Sequence, residues 1–361
     1  MKIKICTIVG ARPQFIKAAV VSHAIDQTKE LSEFIIHTGQ HFDKNMSDSF
    51  FEELNIKRPK YNLNIHSKSH GEMTGSMIIE IEKILMNEKP RMVILYGDTD
   101  STLAGAIAAS KLGIEIAHVE AGLRSYNNAM PEEINRILTD KVSTLLFTPT
   151  ENATNILLSE GTKKNKIFQV GDVMYDSCIK AIKRSNNHKF SEKEFILFTM
   201  HRKENTDNVE KFKKAVDSII LLSNHYKIVW PVHPRIKIKL KKHKKINKAK
   251  NIFLIEPVSY NEMIGLTNDS RMVITDSGGL QKEAFFLKKQ CATIREETEW
   301  VELLNLKWNH LVSFNDPDAF VKTMKKLINK KGLLGSPYGT GNSSSKIVKV
   351  LLKHFSQLHA K

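Results

Sequence analysis

Cysteine is scarce in this chain. Its 361 residues hold three, Cys6, Cys178 and Cys291. They are far apart and odd in number, so they make neither a disulfide framework nor a paired-cysteine metal site. Each is expected to be a small buried apolar residue, and a reducing cytoplasm fits. Long apolar runs are missing too, and nothing approaches the roughly 20 residues of a membrane span. The opening Met1-Lys2-Ile3-Lys4-Ile5-Cys6-Thr7-Ile8-Val9 is broken by Gly10 too soon for a signal peptide and reads as a first strand. His-Glu-x-x-His, Gly-x-Ser-x-Gly and a Lys-bearing P-loop are all absent, which argues against a zinc hydrolase, a nucleophilic hydrolase and a P-loop phosphotransferase. Aromatic residues make up 7% of the chain. None falls in its most basic stretch, Arg235 to Lys250, which includes Lys237, Lys239, Lys241, Lys242, Lys244, Lys245 and Lys248. The net charge of +16 invites a nucleic-acid reading. Without rings to stack on bases, and with lysine abundant everywhere, the stretch reads instead as a solvated helix or loop. No nucleic-acid or membrane partner is expected, although a basic surface attracts anionic substrates.

What is present is regular alternation. Apolar strand candidates are Ile3–Val9, Phe34–His37, Met92–Tyr96, Ile114–Val119, Leu145–Thr148, Phe195–Met200, Lys227–Val232, Ile252–Ile255, Met272–Thr275 and Cys291–Ile294. Helical patterns such as Lys17–Thr28, Thr102–Leu112 and Pro131–Val142 lie between them. This predicts an α/β protein with doubly wound parallel sheets. The length suggests two domains. The pattern pauses near Val170-Gly171-Asp172 and restarts after the polar Arg184–Glu194. The expected division is 1–171, 172–343, and a last helix, 344–361, after the turn-rich Ser336–Gly341.

Ligands of open parallel sheets bind beyond the carboxyl ends of strands, and the chemistry-bearing residues collect there. After the first strand comes Gly10-Ala11-Arg12-Pro13-Gln14-Phe15-Ile16-Lys17, where Pro13 suits a helix start and Arg12 and Lys17 suit a phosphate. After Met92–Leu95 comes Gly97-Asp98-Thr99, and after Ile114–Ala117 comes His118-Val119-Glu120. Cations to hold phosphate and carboxylates to move a proton are expected in one cleft. His118 reads as a satisfied core residue. Glu132 and Glu133 open a helix after Pro131, where acidic side chains also suit the helix dipole. In the second half, His201 ends a strand and can donate to phosphate or act as an acid. His233, in Pro231-Val232-His233, is a weaker parallel. Asp276-Ser277-Gly278-Gly279-Leu280-Gln281-Lys282-Glu283 follows a strand. Its glycines admit a diphosphate, Ser277 can cap the helix, and Glu283 is expected on the first turn for ribose hydroxyls.

These segments, with Thr38-Gly39-Gln40-His41, Pro131–Arg136 and Pro337-Tyr338-Gly339, resemble the non-hydrolysing UDP-N-acetylglucosamine 2-epimerase family in order along nearly the whole chain. The resemblance implies the GT-B fold, two Rossmann-like domains facing a cleft, with UDP held mainly by the second. It also implies a C-terminal helix that returns to the first domain. By the same resemblance Arg12, Lys17, His201, Ser277, Gly278, Gly279 and Glu283 fall on substrate- or UDP-binding positions. Asp98, Glu120 and Glu132 fall on the acidic residues assigned to catalysis, with His201 as a further acid. The implied reaction inverts C2 without a cofactor or metal. UDP leaves, a 2-acetamidoglycal stays bound, and UDP adds back as a proton reaches the opposite face. Some relatives are activated by a second UDP-sugar, and Gln40, Glu132, Arg202 and His233 match parts of that regulatory site. Asp43 and Lys68 lie near its other positions, where the pattern is not kept. A cytoplasmic homodimer serving surface polysaccharide synthesis is implied. Alternatives are a hydrolysing epimerase or a GT-B glycosyltransferase.

Two departures bear on substrate. Most of the family reads Gly-Thr-Arg-Pro-Glu and Thr-Glu-Arg-Pro-Glu, where this chain has Gly10-Ala11-Arg12-Pro13-Gln14 and Thr298-Glu299-Trp300-Val301-Glu302. Trp300 replaces a substrate-contacting arginine. The variant pattern resembles the branch acting on UDP-2,3-diacetamido-2,3-dideoxyglucuronate. Trp300 is expected to pack on its extra acetamido group, with Arg295 or Arg124 facing its carboxylate.

Overall fold

The computed structural model describes residues 2–40, 51, 53–66, 69–184, 194–241, 243 and 245–359. His41, Asp43, Lys68, Lys242 and Lys244 lie outside the described residues. The chain divides into two compact units, Met1–Ser177 with Ser336–Lys361, and Cys178–Gly335.

The first unit is built on a seven-stranded sheet in the order β3-β2-β1-β4-β5-β6-β7. Its strands are β1 Ile3–Val9, β2 Leu31–His37, β3 Tyr61–Asn62, β4 Met92–Tyr96, β5 Glu115–Val119, β6 Leu145–Thr148 and β7 Ile167–Gln169. All pairings are parallel. The central strands are continuous apolar runs because helices cover both faces, so neither face can be polar. β4, Met-Val-Ile-Leu-Tyr, is buried throughout. Strand order reverses between β1 and β4. The loops after these two strands, Gly10–Ala11 and Gly97–Thr99, therefore border the crevice where such sheets bind ligands.

The second unit repeats the plan with six strands in the order β10-β9-β8-β11-β12-β13. They are β8 Ile196–Thr199, β9 Ile228–Pro231, β10 Ile252–Ile255, β11 Met272–Thr275, β12 Gln290–Thr293 and β13 Asn309–Leu311. All are parallel. Here the reversal lies between β8 and β11, whose loops carry His201 and Ser277. The core gathers Phe198, Trp230 and Phe314, with Phe198 and Trp230 edge to face at 4.4 Å.

Differences from the expected elements have local causes. β3, β7 and β13, not foreseen, are edge strands of two or three residues, too short for an apolar signal. β2 begins at Leu31 rather than Phe34, because Ser32 and Glu33 pair with β1 while only half-buried. The first helix is Arg12–Asp26, not Lys17–Thr28, with Pro13 in its first turn. The units divide after Ser177 and Gly335 rather than after 171 and 343. The start of helix Val173–Arg184 stays with the first unit: Ser177 Oγ donates to Ile16 O at 2.8 Å, and the buried Asp176 carboxylate accepts from Ser343 N, Ser344 N and Ser344 Oγ. Asp176 thereby caps helix Ser343–His359, which packs on Arg12–Asp26.

The cysteines are all buried and free, and burial pushes their thiols up, Cys291 to about 12. Among the described residues no helix is long and apolar enough to cross a membrane. The basic stretch begins as helix Pro234–Lys241, which buries Ile236 and Leu240. Several of its lysines have protein partners: Lys237 pairs with Glu256 at 2.7 Å, and Lys239 donates to Thr206 O at 2.6 Å.

Candidate functional site

In the first unit, the loops at the strand reversal form a pocket of about 190 Å³ bordered by Lys17, Gln40, His70, Asp98, Asp100 and Glu132. Gln14 stitches its floor. Its Oε1 accepts from Gly10 N and Ala11 N at 2.8 and 3.0 Å, and its Nε2 donates to Tyr96 O and Thr102 Oγ1, both at 2.9 Å. A carboxamide offers an acceptor oxygen and a two-proton donor nitrogen side by side, so Gln14 ties the β1 loop to the β4 loop. Gly10 is there for space: a Cβ would meet Ser101 Oγ and Thr38 Oγ1 at 2.1 Å.

Two ion pairs meet at the β4 turn. Lys17 Nζ pairs with Glu120 Oε2, their side chains only 11% and 8% exposed. Glu120 holds a left-handed backbone, φ +73°, which costs a non-glycine residue about 1–3 kcal/mol. Gly97, φ +66°, lies against this pair, and a Cβ there would come within 3.2 Å of both charged atoms. Asp98 pairs with Arg136, which also donates to Glu133 Oε2 at 2.8 Å. Burial works against the Arg136 charge, but Asp98, Glu133 and Glu120 outweigh it and hold its pKa above the usual value. Asp98 and Glu120 thus each face a cation.

The adjacent glutamates separate sharply. Glu133 is buried and accepts from Ser125 N and Tyr126 N, both at 2.9 Å. Burial pushes its pKa up, yet these bonds and Arg136 bring it below the usual carboxylate value. Glu133 therefore anchors the loop, while the exposed Glu132 borders the pocket. His118 is fully buried, as expected. It meets Asp140 Oδ1 and Gly97 O, both at 2.7 Å, and so fixes the glycine turn from below. Arg124 is spent internally, donating to Asp140 Oδ2 and both oxygens of Glu160 at 2.8 Å with its side chain 1% exposed. The expectation that it faces a substrate carboxylate fails, because its donors are buried in these pairs.

Sequence reasoning missed Arg136, Asp100, His70 and Asn135. Asp100, buried, accepts from Asn135 Nδ2 at 3.2 Å and meets His70 Nδ1 at 2.9 Å. The His70 side chain is 71% exposed. Arg136 stands one turn after Glu132 in a segment already singled out, a spacing that marks a shared helix face. His70 and Asp100 come from separate segments with no local signal. Gln40 Oε1 accepts from Ser101 N and Oγ, so its carbonyl serves the loop.

In the second unit, Asp276 organises the strand ends. Fully buried, it accepts from His201 N, Arg202 N and Asn205 Nδ2 at 2.9–3.1 Å, with His201 Nδ1 at 3.2 Å. The His201 ring stacks on His233 at 5.6 Å, and His233 Nδ1 accepts from Arg235 N at 3.2 Å. Ser277 caps helix Gly278–Phe286 through Leu280 N. Glu283 is the sixth residue of that helix, on its second turn and buried, not on the first turn; the helix starts at Gly278, so 3.6 residues carry it past. Trp300 is only 5% exposed, with Lys282 Nζ 3.9 Å from its ring centre. One aromatic face expected for a substrate thus carries a cation instead. Arg12 is half-buried at the first position of its helix.

A sequence profile described as UDP-N-acetylglucosamine 2-epimerase matches residues 23–352. The chain is 51% identical over 359 residues to a Methanococcus maripaludis protein named UDP-N-acetylglucosamine 2-epimerase homolog, covering 96% of this chain and 99% of that one. It is 49% identical over 359 residues to the UDP-2,3-diacetamido-2,3-dideoxy-D-glucuronate 2-epimerase of Pseudomonas aeruginosa, covering 97% and 99%. Among solved structures it is similar to the Methanocaldococcus jannaschii UDP-GlcNAc 2-epimerase in complex with UDP-GlcNAc and UDP. There the TM-score is 0.87 at 44% identity, over 97% of this chain and 100% of that one. With these structures it shares the GT-B-like fold of two parallel-sheet domains with surrounding helices.

Proposed function

The chain belongs to the UDP-N-acetylglucosamine 2-epimerase family, and on that premise we infer that it inverts C2 of a UDP-2-acetamido sugar by eliminating and re-adding UDP. The observation that carries this reading is the meeting of Lys17–Glu120 and Asp98–Arg136 on the Gly97–Asp98 turn of one pocket. The C2–H bond breaks, its electrons form C1=C2, and the C1–O bond breaks as UDP takes that pair. Re-addition reverses these steps, with a proton delivered to the other face of C2. Carboxylates that hand a proton on and off need groups on both faces, and Asp98, Glu120 and Glu132 supply them. Lys17 and Arg136 hold two of these in place. The leaving diphosphate needs donors aimed at its growing charge. In the second unit His201 and the Ser277-Gly278-Gly279 helix start are proposed to supply these, with Glu283 helping to seat the nucleotide; in the first unit Arg12 is the proposed phosphate-binding cation. Incubation with UDP-sugar in deuterated water, followed by NMR at C2, tests the reading. Label enters C2 of both epimers if it holds; free sugar and UDP as sole products would identify a hydrolysing enzyme, and no label with an acceptor consumed would identify a glycosyltransferase.

A finer assignment, the diacetamido-uronate over UDP-N-acetylglucosamine, draws its support from the Pseudomonas relative, which acts on that sugar by name, and from Trp300, which removes the arginine of most of the family even though its own ring carries Lys282. The product would then be a precursor of a bacterial surface polysaccharide such as O-antigen. A cytoplasmic location is part of the same reading, supported by the three free, buried thiols. So is a homodimer. Its support is an exposed apolar row on helix Pro131–Val142, Ile134, Leu138 and Val142, with Ile79 and Met86 on helix His70–Glu88. Light scattering checks it. Gln40, Arg202 and His233 remain proposed regulatory contacts, tested by the response to a second UDP-sugar.

A further inference from the structure

Gly278 and Gly279 open one helix, yet their surroundings differ. A Cβ on Gly278 would stand 2.8 Å from Glu299 Oε1, 3.8 Å from Trp300 Nε1 and 4.0 Å from Arg295 Nη1, whereas a Cβ on Gly279 meets nothing within 4 Å. Neither glycine has a positive φ, so what each provides is space. The loop after β12 closes the Gly278 side and leaves the Gly279 side open. That loop is tied down: Thr298 Oγ1 donates to Gln281 Oε1 at 2.8 Å, Lys282 lies over Trp300, and Arg295 Nη1 donates to Glu299 Oε2 at 2.9 Å. A carboxylate therefore already rests against the first residue of the helix, at the end that favours negative charge, with a guanidinium holding its other oxygen.

We propose that Arg295 is a further nucleotide-binding residue, with Glu299 as its internal counter-anion. When the diphosphate of UDP enters over Gly279, Arg295 turns from Glu299 Oε2 to the diphosphate oxygens. This rests on the reading that Ser277–Gly279 receives UDP. A guanidinium fork suits that exchange, since it grips phosphate oxygens in pairs. Glu299 meanwhile repels the incoming anion and competes for Arg295, so it sets nucleotide affinity rather than raising it.

The test is calorimetric titration of the full chain with UDP and with uridine, which carries no phosphate. Arg295→Gln is expected to weaken UDP binding at least about tenfold and leave uridine binding unchanged. Arg295→Lys keeps the charge without the fork and is expected to fall between. Glu299→Gln keeps the shape and is expected to tighten UDP about threefold, the scale of a partly exposed charge contact. Gly279→Ala is expected to abolish UDP binding with an unchanged melting temperature. Equal weakening of UDP and uridine in Arg295→Gln would mean a merely structural role and overturns the proposal. So does a Glu299→Gln variant that binds UDP less well. Loss confined to a UDP-uronate, with UDP itself unaffected, would reassign Arg295 to the sugar carboxylate and also overturns it. Wild-type protein that binds no UDP would sink the underlying functional reading as well, which separates the two failures.

Discussion

Replacing Lys17 with Met should cost stability and activity by separable routes. The Lys17–Glu120 pair is nearly sealed from water, and removing one partner of such a pair strands the other charge, typically at about 3–5 kcal/mol. Arg136 is close enough to feel Glu120, so the low end, about 3 kcal/mol, is expected. For a domain of this size that lowers the melting temperature of the first unit by roughly 6–12 °C. Glu120→Gln removes the stranded charge, so the double variant Lys17→Met, Glu120→Gln should regain most of that loss. Turnover should not return, since a proposed acid–base group and the cation that holds it in place are both gone. Differential scanning calorimetry and C2 exchange kinetics, run on the three variants, separate the effects. A Lys17→Met protein that melts like wild type, or a double variant that recovers turnover, would refute the reasoning.

Asp98→Asn and Glu132→Gln should each lower turnover at least about a hundredfold, and Glu132→Gln should leave melting unchanged because that side chain is exposed; steady-state kinetics and thermal melts check both. Burial works against the Asp140 charge, but His118 and Arg124 win and hold its pKa below the ordinary 3.8. Its stabilisation is therefore complete above that value and lost as pH falls through the lower folded pKa; Asp140→Asn should flatten this acid limb in urea titrations from pH 5 downward, roughly. Changing Lys241, Lys242, Lys244 and Lys245 to Gln should alter solubility more than saturated turnover, read by precipitation and kcat. Side-by-side kinetics should give a higher kcat/KM for the diacetamido-uronate than for UDP-N-acetylglucosamine, and the reverse order would remove Trp300 as a selector.

The sequence by itself determined the alternation of strands and helices, and hence two parallel sheets whose strand ends carry Asp98, Glu120, His201 and Ser277. Runs such as Met92–Tyr96 and Met272–Thr275 must be buried on both faces, and motif residues directly after them can only lie at the carboxyl edge. Partners were a different matter. Which glutamate of Glu132 and Glu133 faces the pocket turns on where the 125–126 loop places its N–H groups, and helix spacing does not encode that. Arg124 resembles a ligand residue until Asp140 and Glu160, distant in sequence, consume its donors. His70 meets Asp100 only because separate helices bring them to one rim. Edge strands of two or three residues exist through pairing with a neighbour, not through their own pattern. Periodicity is a property of a segment, and it survives in the sequence. The pairing of a buried charge is a property of contacts between segments, so only the tertiary structure decided which carboxylates are anchors and which stand open in the pocket.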